Sequence, residues 1–163
     1  MATNTGGHGS GRRLTGLLAL LALLMSGLLF VGAAGGIAVG EEKLGPRLTM
    51  LALTNSDREL HERRDLAFAA KLARYAKDHS QAMADEGYIY HSTGDQLRAQ
   101  LDGYQWQLGG ENVGVGGSLE SLEDAFMAST EHRKNILRKV YDHAAVGIVR
   151  ADDRIWITVI FYG

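Results

Sequence analysis

The sequence predicts an α+β layered domain behind an apolar N-terminal segment. Three observations carry this. Helical periodicity fills the stretch from Arg47 to Glu86, the clearest strand signal comes at the far end of the chain, and residues 14–40 hold no charged side chain.

The elements follow in order. A first helix is predicted over about Arg47–Glu62, with Leu48, Leu51, Asn55 and Arg58 on one stripe. Arg58, Arg63 and Arg64 alternate with Glu59, Glu62 and Asp65, which reads as a solvated helix face. A second helix is predicted over about Leu66–Glu86. Phe68, Leu72, Ala76, His79 and Met83 recur at helical spacing, Ala67, Ala69, Ala70 and Ala73 favour the helix, and Gly87 ends it. Tyr88–His91 reads as an extended exit. Thr93-Gly94-Asp95-Gln96 has the form of a capping box and opens a short helix carrying Leu97 and Leu101. Tyr104–Leu108 is a candidate strand, and Gly109–Gly117 reads as a glycine-rich loop holding Glu111. Ser118 caps a helix over Leu119–Ala128 that buries Leu122, Ala125 and Phe126, with Glu120, Glu123 and Asp124 as its carboxylates. Ser129 or Thr130 caps a further helix reaching Leu137. Ala145–Val149 and Ile155–Phe161 flank Asp152-Asp153, an antiparallel hairpin signal.

Composition narrows the classes of function. All 19 acidic residues lie beyond residue 40, with 15 of the 17 basic ones, so that part carries a formal charge of −4. Nucleic-acid binding normally needs a basic field, so no nucleic-acid partner is expected. The chain has no cysteine, which excludes disulfides and thiolate metal sites but not export. The 123 residues after Gly40 suffice for a core without such staples.

Residues 1–13 read as a disordered cytoplasmic tail ending in Arg12-Arg13. The 27-residue run 14–40 has two readings. About 20 apolar residues span a bilayer, and the arginine pair would stay inside, so the run fits a membrane anchor with the domain outside. It also fits a cleaved signal peptide, with Gly32-Ala33-Ala34 as the peptidase site. The apolar stretch is longer than a typical signal core of roughly 7–15 residues, which favours the anchor. Either way the domain is extracytoplasmic. Residues 41–46 form a linker, and 47–163 form the domain.

Chemistry-bearing residues come from three separate places: His91-Ser92, Gly110-Glu111-Asn112-Val113-Gly114, and Ser129-Thr130-Glu131-His132-Arg133-Lys134-Asn135-Ile136-Leu137. Imidazoles and carboxylates are the groups that bind borderline metals and move protons near neutral pH. In order and wording these segments resemble the CAP superfamily of cysteine-rich secretory, antigen 5 and pathogenesis-related proteins. The match is nearest to its short, cysteine-free bacterial branch and runs from about Leu48 to Gly163. The resemblance implies a three-layer α-β-α sandwich with a surface cleft lined by two histidines and two glutamates. His91, Glu111 and His132 take three of these places, supported by Ser92, Asn112 and Asn135. Glu131 is the candidate for the fourth. It stands beside His132, and helix neighbours point about 100° apart, so it shares the site only if the helix has not begun there. Otherwise it is a helix-N-terminal acid favoured by the macrodipole.

No residue is assigned a catalytic role. His91 and His132 could hold Zn²⁺ with waters completing its shell. No Gly-x-Ser-x-Gly elbow is present, and adjacency of Ser92 to His91 does not make a Ser–His pair. The sequence therefore points first to an exported module that binds a small extracellular ligand (lipid, glycan or peptide) in the cleft. The alternatives are a metal-assisted hydrolase acting on peptide or cell-wall material, and a purely structural tetrad. His79 reads as a core-edge residue, and His61 and His143 as solvated.

Overall fold

A computed structural model describes residues 44–163. The expectations for residues 1–13 and 14–40, and the first half of the linker, lie outside the described residues. Among the described residues no helix is long and apolar enough to cross a membrane.

Helix α1 spans Pro46–Leu60, with Pro46 in its first turn, where proline's missing N–H costs nothing. Strand β1 is the two-residue Ala67–Phe68, and α2 spans Ala73–Glu86. Then come α3 (Gly94–Leu101), β2 (Gly109–Gly116), α4 (Leu119–Ala128), α5 (Thr130–Ile136), β3 (His143–Ala151) and β4 (Arg154–Tyr162). The strands form one sheet in the order β1-β3-β4-β2. β3, β4 and β2 are antiparallel, and β1 joins β3 in parallel.

Strand alternation divides the core into two layers. Ile155, Ile157, Val159 and Phe161 of β4 face α1, α4 and α5, packing with Met50, Leu51, Leu122, Phe126 and Ile136. Trp156, Ile160 and Tyr162 face the other way, against α2 and α3 through Leu72, Ala76, Met83 and Leu101. The expected three-layer α-β-α sandwich with a C-terminal hairpin is what forms. Asp152 and Asp153 both take positive φ, 49° and 58°, the conformation that suits a two-residue hairpin turn. The seat of α2 is set by Gly147, where a Cβ would fall 2.0 Å from the Ala76 carbonyl carbon. Ser80 bolts the same contact, donating to the Gly147 carbonyl at 3.1 Å.

Local signals placed several elements as expected. Thr93 and Gln96 make both bonds of the capping box, Ser118 and Ser121 make another, and Gly87 closes α2 at φ 77°. Non-local forces overrode others. The second helix starts at Ala73, not Leu66, because the chain at Ala67 and Phe68 is drawn out to pair with His143 and Ala144. The expected strand over Tyr104–Leu108 is absent. The supposed loop from Gly109 is instead strand β2, all eight of its residues in register with β4. Glycine serves there because helices and loops press close: a Cβ on Gly110 would stand 2.5 Å from Tyr141 Oη and 2.9 Å from Asn135 Oδ1.

The burial expectations also needed correction. Leu48 and Ala125 are exposed, and Met50, Thr54 and Glu123 are buried in their stead. Arg58 is not on a solvated face. It is fully buried, and its guanidinium donates to the carbonyls of Arg64, Ile136, Arg138 and Tyr141. Arg63 caps Leu137 O in the same way at 2.9 Å. Two arginines thereby satisfy the end of α5 and fix it against α1. His61 is half-buried between the Asp57 carbonyl and Arg133, and His143 stacks on Tyr162, so neither is free in solvent.

Candidate functional site

Strand β2 is an edge of the sheet, and the site wraps that edge. Glu111 lies across from Ile160, so its side chain belongs to the α2 layer. Asn112, across from Val159, belongs to the α5 layer. His91 arrives from the segment after α2, and His132 from the first turn of α5. The two imidazoles thus reach the edge from opposite faces, with ring centroids 6.4 Å apart.

Glu111 is the hub on one side. Its carboxylate is 4% exposed and accepts three hydrogen bonds. His91 Nδ1 lies 3.0 Å from Oε1, the Ser92 amide donates to Oε1 at 2.9 Å, and the Ser92 hydroxyl donates to Oε2 at 2.8 Å. Burial alone would raise the Glu111 pKa. The hydrogen bonds from His91 and Ser92 outweigh it and hold the value below the ordinary 4.5. The same hydrogen bond raises the pKa of His91, against a smaller opposing effect of burial. With Nδ1–H donating to Glu111, the neutral ring keeps its lone pair on Nε2.

On the other side the asparagines make the frame. Asn112 Nδ2 donates to the His132 carbonyl at 3.2 Å. Asn135 Nδ2 donates to the carbonyl of Glu111 at 3.1 Å and to Asn112 Oδ1 at 2.9 Å. His132 is half-buried, with the Phe126 ring at 4.9 Å edge to face. Burial first, and then the charge of His91, lowers its pKa. The environment therefore pushes the two imidazoles apart in basicity.

The structure brings together His91, Ser92, Glu111, Asn112, His132 and Asn135. Glu131 sits in the first turn of α5 with its side chain 81% exposed, facing Lys134 Nζ at 3.9 Å. The helix has begun at that position, so Glu131 and His132 point different ways. Two neighbours were not anticipated from sequence. Phe126 was read only as core, and His79, whose Nε2 lies 2.9 Å from the Tyr90 carbonyl, stands close enough to help hold the Glu111 pKa down. Helical spacing placed both on their helices, but nothing local indicated what they would face.

Among the described residues no three histidine or acidic side chains converge as a metal set. Glu111 is buried and turned to its three donors, so a cation would be left with His91 Nε2 and the His132 ring. Glu111 would then act behind His91, orienting it, as carboxylates commonly do behind metal-bound histidines.

Comparison with known proteins bears on the family and the fold. The sequence profile described as CAP, the cysteine-rich secretory protein family, matches residues 51–161. The Bacillus subtilis protein YkwD, described as uncharacterized, is 32% identical over 114 residues, 66% of this chain and 43% of that one. An extracellular protein of Bacillus anthracis containing an SCP domain is 29% identical over 72% of this chain and 40% of its own, with a TM-score of 0.62. A cysteine-rich secretory protein of Staphylococcus aureus is 26% identical over 76% and 40%, with a TM-score of 0.60. The chain spans about two-fifths of the length of each of these relatives. By its sequence, its three layers and the residues gathered at the edge of its sheet, the chain belongs to the CAP, or cysteine-rich secretory protein, family.

Proposed function

We propose that this chain is an exported CAP module that binds a small extracellular ligand, a lipid, glycan or peptide, at the His91/His132 edge without turning it over. One observation carries the reading. The Glu111 carboxylate is 4% exposed and engaged by three donors of the protein, so it holds His91 and Ser92 in place and is poorly placed to draw a proton from a substrate water. The imidazoles are what the site offers to a partner: His91 has its side chain 55% exposed. Residues 14–40 deliver the domain across the membrane, as an anchor or as a leader. The names of the relatives, extracellular and secretory, support that placement.

The test uses defined probes: co-sedimentation with purified peptidoglycan and with phosphatidylcholine/phosphatidylglycerol vesicles. Wild type is compared with His91→Ala and Glu111→Ala. Binding weakened at least tenfold in His91→Ala, with no release of soluble fragments, is the expected result. Equal binding by all three proteins would remove the site from the account, and steady turnover would replace the module with a hydrolase.

The same hydrogen bonds favour a second reading, in which His91, Glu111 and the asparagines serve only to join the loops. Its mark is unchanged binding with a lower unfolding midpoint in both variants. If Zn²⁺ joins the site, His91 and His132 hold it, and calorimetry near pH 7.5 gives a weak one-site isotherm abolished by either His→Ala change.

A further inference from the structure

Glu123 is a second buried carboxyl, outside the site. It lies on α4 against α1 and is 3% exposed. Thr54 Oγ1 donates to its Oε2 at 3.2 Å, while Oε1 is buried with no hydrogen-bond partner. Its charged neighbours are acidic: Asp57 on α1 and Asp124 on its own helix. Arg58 of α1 gives its donors to backbone carbonyls, and the His61 ring, just past the end of α1, is held between the Asp57 carbonyl and Arg133.

An ionised Glu123 would be a buried anion beside two others with a single hydrogen bond. A proton on the carboxyl removes the charge and turns the repulsion from Asp57 into a hydrogen bond. Burial above all, then Asp57 and Asp124, pushes its pKa up to about 8, with Thr54 opposing.

The same helix touches the site. One turn beyond Glu123, Phe126 lays its ring against His132, and a single residue, Ser129, separates α4 from α5. We propose that Glu123 is a proton-operated latch: with its proton it closes the α1–α4 seam, and losing that proton to water loosens the seam and displaces Phe126, α5 and the His132 imidazole. As regulation of the site, the latch rests on the reading of His132 as a ligand contact. Its test needs no ligand, so the two ideas fail separately.

The experiment follows the full chain from pH 7 to pH 10 by thermal unfolding and by the His132 ring resonances in NMR. His132's own proton leaves below this range, since burial lowers its value. In wild type the unfolding midpoint falls with pH, and the His132 resonance moves with an apparent midpoint near 8. Glu123→Gln abolishes the step near 8 in both readouts and leaves the separate change that His91 brings as it loses its own proton. Thr54→Val removes the opposing hydrogen bond and shifts the midpoint up, and Asp57→Asn shifts it down. A His132 response in Glu123→Gln that matches wild type overturns the latch. So does a stability change that leaves the His132 resonance still, because the seam would then not reach the site. If no ligand is found but the resonances behave as stated, the latch stands and the binding reading falls.

Discussion

Glu111 and Glu123 are buried to nearly the same degree, 8% and 3% exposed, yet their surroundings drive them in opposite directions. Glu111 accepts three hydrogen bonds, one from an imidazole, and is held below its ordinary pKa. Glu123 accepts one and stands among acids, and it is pushed far above. Burial by itself disfavours both anions. What decides the charge is how many donors the fold aims at each carboxylate. The edge site spends its donors on an anion; the α1–α4 seam withholds them and keeps a proton.

The sharpest break in this contrast is Glu111→Ala. It strands the Ser92 amide and hydroxyl and frees His91, and should cost about 3 kcal/mol by urea unfolding at pH 7. A loss under about 1 kcal/mol would mean that water takes over these donors and that the hub does not organise the site.

Glu123→Gln should have the opposite sign. The folded pKa of Glu123 lies above the unfolded one, so its stability contribution is complete below about pH 4.5 and fades as pH rises through about 8. The variant should gain about 2 kcal/mol over wild type by pH 6 and nothing at pH 4, read from paired urea curves. A variant less stable than wild type at pH 8 would show that the seam values the carboxylate after all.

Gly110→Ala is a smaller change that strikes the frame from behind. Its methyl would meet Tyr141 Oη and Asn135 Oδ1, pushing away the side chain that holds the Glu111 and Asn112 groups. A loss of about 1–2 kcal/mol is expected, with the His132 resonance shifted while that of His91 stays.

The smallest effect is the pH dependence of the His91–Glu111 pair. Glu111 is depressed in the fold, so its contribution is present above about pH 4.5 and is lost as pH falls through the folded value. His91 is raised, so its contribution is present below about pH 6.5 and is lost as pH rises through the folded value. Both are present between these values. His91→Ala should therefore destabilise most near pH 5.5 and least near pH 9, a difference of a few degrees in thermal midpoint. A pH-independent difference would assign His91 to packing alone.

How far the sequence could be read depended on the range of the forces. Thr93, Gln96, Ser118 and Gly87 act within one turn, and the elements they start or stop were legible. Asp152-Asp153 joins strands adjacent in the chain, so the hairpin was legible too. Strand β2 was not, because its partner β4 lies some 40 residues on and its glycines are explained only by what covers them. Arg58 was misread for the same reason. Three of the carbonyls that hold it lie 78, 80 and 83 residues away, and its acidic neighbours in sequence suggested solvent. At the site, motif order named His91, Glu111 and His132, but not the direction of Glu131, which depended on where α5 begins. Glu123 was indistinguishable in the sequence from the other carboxylates of its helix, Glu120 and Asp124, because what buries it is α1, some 70 residues earlier.

His91 and His132 come from opposite layers and meet around the rim of the sheet. Any molecule touching both rings therefore acts as a cross-link between those layers. It resists the shear by which the sandwich would open, and at saturation stabilises the fold as a whole with the logarithm of its concentration over its dissociation constant. The domain is in this sense its own reporter. A rise in melting temperature across a ligand library, lost in His91→Ala, would pick out the partner before its chemistry is known.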